Sequence, residues 1–142
     1  MWMAIHVLHI LAFLGCLTAS GLKLRRLARP TLDGAAFQGL RRLDVLSSSS
    51  TGVIMLTGTA MLVGQPGRLA HLQEPAFLLK LLLFVIASGL VIATKIFLRR
   101  TPDPAPGASL PTPPWARWAL LVDFCSIAVI AATGVAIAHG GL

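Results

Sequence analysis

The chain has 142 residues, 56% of them apolar and 12% charged, with a net charge of +7 and no tyrosine. Soluble domains average about 25% charged residues, so this composition does not suit a water-soluble monomer. All Lys and Arg except Arg68 and Lys80 flank apolar stretches, where they orient a membrane protein rather than grip nucleic acid.

A bilayer core about 30 Å thick is crossed by roughly 20 helical residues, because only a helix satisfies its own backbone hydrogen bonds in hydrocarbon. Four segments meet that length, over about residues 2–22, 45–64, 76–98 and 116–138. The expectation is an all-α fold: one domain over residues 1–142, an integral membrane bundle of four transmembrane helices. The first span has no basic residue ahead of its apolar region, which is the reverse of a secretory signal, so it is expected to be retained. After it come Lys23, Arg25, Arg26, Arg29, Arg41 and Arg42, and the second basic group is Lys95, Arg99, Arg100 and Arg117. Basic connections stay in the cytoplasm, which puts both termini on the extracytoplasmic side of a bacterial inner membrane.

Between the first two spans, Phe37, Leu40 and Leu43 recur at helical spacing beside Arg41 and Arg42, and residues 34–44 are expected to form a short interfacial helix. The second span opens on Ser47, Ser48, Ser49, Ser50 and Thr51 and holds Gly52, Thr57, Gly58 and Thr59, a composition for close helix approach. Residues 101–114 contain six prolines and are expected to be an exposed, partly extended linker on the cytoplasmic side. Trp2, Trp115 and Trp118 fall at interface depth. Cys16 and Cys125 lie within spans, with no Cys-x-x-Cys pair, and imply no disulfide framework.

This orientation gathers titratable groups on one side. His6 and His9, three residues apart, share a face of the first span, and Lys80 enters the third span from the same side at about one turn of depth. His139 ends the fourth span there. His9 and His139 are candidate metal ligands, with His6 as a second or orienting group, and Lys80 would neutralise a carboxylate of a bound ligand or pair with Glu74. Haem b suits imidazole ligands within a helical bundle, and copper is the alternative, with Met1 and Met3 as soft supplementary donors. Nearer the cytoplasmic side, Lys95 and Asp123 lie at comparable depth and are expected to form a structural ion pair between spans three and four.

Several short motifs carry a resemblance: Leu8-His9-Ile10, Arg41-Arg42-Leu43, Leu56-Thr57-Gly58 with Met61-Leu62, Phe77-Leu78-Leu79-Lys80-Leu81, and Arg99-Arg100. Over about the first 100 residues the chain resembles small four-helix bacterial membrane proteins of the haem-containing protoporphyrinogen IX oxidase type, or a related uncharacterised predicted-membrane-protein family. The resemblance implies a haem-ligand role for His9 and a functional role for Lys80. The function expected from residues and resemblance together is a haem b membrane protein that transfers electrons or oxidises a porphyrinogen or quinol near the outer face. The alternative is a non-catalytic subunit that packs against a larger membrane complex through the small-residue faces of spans two and four, the latter carrying Ala131, Ala132, Gly134, Ala136 and Ala138. The expected partners are the lipid bilayer and a second copy in a homodimer or a larger membrane complex.

Overall fold

The computed structural model describes residues 1–64 and 72–138, with side chains described as far as residue 134. Four long helices are present: α1 (Trp2–Leu27), α2 (Gly34–Val63), α3 (Pro75–Arg100) and α4 (Pro114–Ala138). Each is long and apolar enough to cross a membrane. They form a ring in chain order, with α1 packed most extensively on α2 and α3 on α4, while the α2–α3 seam is the loosest between neighbours. We call the end carrying the α1–α2 and α3–α4 links the connection end.

Local sequence sets the helix limits. Arg25 and Arg26 close α1, and Arg99 and Arg100 close α3, each pair placed where the helix dipole favours cations. Pro75 opens α3 at a position whose N–H would be unpaired in any case. At the start of α2, the Asp33 carboxylate accepts from Ala36 N–H at 2.7 Å, satisfying one of the free donors of the first turn.

The expected interfacial helix and second span are one helix. Phe37, Leu40, Asp44, Ser47, Ser50, Ile54 and Thr57 are all buried and recur at steps of three and four residues, so a single stripe runs unbroken from link to bundle interior. At 30 residues α2 is about 45 Å long, some 15 Å more than a bilayer core, so its first turns stand beyond the hydrocarbon.

The links also hold a feature that proline content concealed. Residues Thr31–Asp33 (β1) and Ser109–Pro111 (β2) pair antiparallel, with Leu32 opposite Leu110. Proline can sit here because a two-stranded sheet has only edges, where a missing N–H goes unnoticed. Ala108 N–H reaches the Ala105 carbonyl at 2.9 Å across Pro106-Gly107, and Gly107 takes φ of 80°, which a type II turn requires and glycine supplies without strain. The segment expected to be a loose linker is thus partly a strand tied to the first link.

Two apolar clusters hold the bundle. The one at the connection end contains Leu27, Leu32, Phe37, Leu40, Leu98 and Leu120. It lies where water reaches, so burial itself stabilises it. The other, at mid-bundle, is Ala12, Cys16, Ile54, Ala87 and Ile127, smaller side chains suited to close helix approach in lipid, where burial gives no hydrophobic gain. Outward faces carry exposed Leu11, Met55, Val85 and Trp118, a surface that only lipid covers without penalty.

Candidate functional site

The histidines of α1 have separate partners. His6 Nδ1 donates to the Trp2 carbonyl on its own helix at 2.9 Å. His9 Nδ1 lies 2.7 Å from Thr57 Oγ1 on α2, and the Thr57 hydroxyl lies 2.6 Å from the Val53 carbonyl. A hydroxyl has one proton and a carbonyl only accepts, so the imidazole is the donor to Thr57 and its Nε2 keeps a lone pair. Lys80 turns instead toward α4, where a Cβ added to Gly134 would stand 3.7 Å from its Nζ. Gly134 therefore serves the α3–α4 seam inside the chain. His9 and Lys80 share a depth but belong to different seams. His139, like His71 and Arg68, lies outside the described residues. Among the described residues, no group of three or more His, Cys, Asp or Glu side chains could hold a metal ion.

The expected ion pair between Lys95 and Asp123 does not form. Lys95 Nζ donates across the α2–α3 seam to Ser48 Oγ at 3.3 Å. Asp123 is fully buried on the α1 side of α4, its Oδ2 accepting from Ser20 Oγ at 2.6 Å. Equal depth had suggested the pair, but depth leaves open the direction in which each side chain leaves its helix, and these two leave toward different neighbours.

The cation that meets an interior carboxylate is Lys23. Its side chain is fully buried, and its Nζ lies 3.6 Å from Asp44 Oδ1. From sequence, Lys23 reads as one more basic residue after a span and Asp44 as the end of a link. The available signal is periodicity: Lys23 continues the buried stripe of Ala12, Cys16, Ala19 and Ser20 on α1, and Asp44 stands in the α2 stripe between Leu40 and Ser47.

This cluster, Lys23, Asp44 and Asp123 with Ser20 and Ser47, is closed to solvent but not internally satisfied. Lys23 Nζ, Asp44 Oδ1, Asp123 Oδ1 and Ser47 Oγ are buried without a hydrogen-bond partner, each an energetic cost of roughly 1–3 kcal/mol or more for a charged group. Lys23 is paired with Asp44, and Lys95 and Arg99 line the groove on the other side of that carboxylate; among the described residues, Asp123 has only the Ser20 hydroxyl as a hydrogen-bond partner.

Space adjoins the cluster on both sides. On the interior side, Asp123 lines a cavity of about 10 Å³ with Cys16, Thr51 and Ser88, about the room for one water molecule. On the other, Asp44 lines a groove of about 500 Å³ between α2 and α3, together with Ser48, Ser49, Lys95 and Arg99. The groove is polar, whereas the wall of the inner cavity is mostly apolar, with Phe13, Ile54, Phe84 and Ile127 facing Asp123 across it. Ile54 and Ile127 also separate the cavity from the His9–Thr57 pair.

A family described as "Predicted membrane protein (DUF2214)" matches the chain over residues 1–141. The chain belongs to this family. It is the second of the two resemblances stated above, a predicted-membrane-protein family, and the four candidate spans agree with it. No curated protein and no solved structure matches the chain. In this family member, a multi-pass membrane protein, the buried ionic cluster lies toward the connection end of the candidate spans.

Proposed function

We propose that this protein binds a proton at the Lys23–Asp44–Asp123 cluster and passes it between the connection-end groove and the bundle interior. The observation that carries the reading is Asp123: it is fully buried, its Oδ1 has no hydrogen-bond partner among the described residues, and the buried ammonium of Lys23 is paired with Asp44, so a proton on Asp123 would remove a buried unpaired charge. A metal cation is a poorer occupant, since the Lys23 ammonium already stands among the oxygen donors and would repel it. Asp44 meets the groove and Asp123 meets the inner cavity, so the two carboxylates would serve as entry and inner carriers, with Lys23 as the fixed counter-charge.

The path stops at Ile54 and Ile127, and that suits a proton-loading site better than a through channel. A small open proton path would collapse the membrane potential, whereas a closed one can deliver protons to a coupled event at the far end. Reconstituted in vesicles, the wild-type protein is expected to hold an imposed pH gradient. The Ile54→Ser, Ile127→Ser double variant is expected to leak protons, and adding Asp123→Asn to stop the leak. A leak unchanged by Asp123→Asn would place the route elsewhere and refute the proposal.

A second reading keeps haem b, with His9 as an axial ligand, and the His9–Thr57 hydrogen bond favours it. That bond fixes the ring through Nδ1 and leaves Nε2 available, as the outer partners of metal-bound imidazoles do. A bound haem would supply one-electron redox chemistry, and Lys80 the counter-charge for a propionate. Neither the cavity nor the groove is lined by His9, so the support comes from ligand chemistry and not from a preformed slot. A Soret band in the purified protein that His9→Ala removes would support it, and its absence from folded wild-type protein would overturn it.

A further inference from the structure

The groove between α2 and α3 has a chemistry that the proton reading does not use. Its cations outnumber its one carboxylate, and that carboxylate, Asp44, is already paired with Lys23. Arg41 is committed: it donates to the Leu98 and Thr101 carbonyls at 2.9–3.1 Å and meets Asp103 at 2.7 Å, so it contributes field more than free donors. Lys95 spends one of its three N–H donors on Ser48. Arg99 is exposed, with no hydrogen bond or ion pair among the described residues.

Below these cations the seam turns apolar. Val45 lines the groove and is exposed, and Ile92 and Ile96, on the same face of α3 as Arg99, are exposed toward the bilayer. Gly52, one turn deeper than Ser48, has nothing within 4 Å of where a Cβ would stand, so the α2 surface below the groove is open. The groove volume of about 500 Å³ falls within the roughly 300–1,000 Å³ of small-molecule sites. A free anion would use only the upper part; a phospholipid uses both.

We propose that this groove seats the phosphate headgroup of an anionic phospholipid on Lys95 and Arg99, with Ser49 as hydroxyl donor and one acyl chain along Val45, Ile92 and Ile96. Ser48 is already engaged, donating to the Val45 carbonyl and accepting from Lys95. Basic pockets between membrane helices at the headgroup level hold anionic lipids in this way. A zwitterionic lipid brings a quaternary ammonium against Arg99 and binds less well. The site rests on Lys95 and Arg99, not on proton exchange at Asp44 or Asp123, so it stands or falls independently of the proton reading.

The test measures thermal unfolding and lipid adducts of the full chain in neutral detergent, with added phosphatidylglycerol, phosphatidylcholine or inorganic phosphate. Phosphatidylglycerol alone is expected to raise the unfolding temperature and give a persistent one-lipid adduct. Arg99→Gln, at an exposed residue with Arg100 beside it to keep a cation at the helix end, is expected to weaken binding about fivefold, and Lys95→Gln with it by about the same factor again. Equal stabilisation by phosphatidylcholine, or by inorganic phosphate, would overturn the assignment to an anionic lipid, as would a phosphatidylglycerol effect that survives both substitutions.

Discussion

Lys23 is the residue on which the interior of this protein turns. A lysine on the basic side of a span ordinarily reaches for water along its own stem; here the side chain points inward and meets Asp44 at 3.6 Å. Removing one member of such a pair leaves an unbalanced buried charge. Lys23→Met is therefore expected to destabilise the protein by about 3–5 kcal/mol, read as a fall in unfolding temperature in mild detergent. Adding Asp44→Asn should return most of that loss, because the second substitution removes the charge that the first stranded. A Lys23→Met protein as stable as wild type would mean that the pair contributes little. The polar character of the site was legible in the sequence in part: Asp123 stood out as a carboxylate inside a span. Its partner was not, because residue counting gives depth along a helix and the partner is chosen by direction around it. Lys95 matched the depth of Asp123 and faces Ser48; Lys23 sits near the end of its helix and faces inward.

The spans themselves were readable from apolar length, and the helices overlap all four expected segments. What length could not show was continuity and pairing across the links. Residues 34–44 read as a separate interfacial helix ahead of span two, but the buried stripe through Phe37, Asp44 and Ile54 carries one helix across. Proline content rightly excluded helix from residues 101–113, though Pro114 opens α4; strand pairing depends on a partner about 80 residues away, and local composition does not report that. The Asp33 cap is where β1 hands over to α2. Asp33→Ala should cost about 1 kcal/mol, seen as a lower unfolding temperature with helix content retained. Asp33→Asn, which keeps a capping oxygen, should recover most of it.

At the scale of the whole molecule the two ends differ in kind. The connection end has the larger apolar cluster, the paired strands, the basic groove and the ionic cluster, whereas the opposite end carries His6, His9 and Lys80 on separate seams. The distribution of Lys and Arg predicts that the connection end faces the cytoplasm, and labelling tests it. Ser109→Cys, an exposed position on β2, should react with a membrane-impermeant thiol reagent in inside-out vesicles and not in intact cells; the reverse pattern would invert the topology. The central claim is that the buried cluster holds an exchangeable proton, and infrared difference spectroscopy of the lipid-reconstituted protein across a pH titration reads that proton directly. The account predicts a carbonyl stretch of a protonated, poorly hydrated carboxylic acid that titrates in the wild type and is lost or shifted in Asp123→Asn and Asp44→Asn. A wild-type spectrum with no such band at any pH, in protein that is folded, would contradict it.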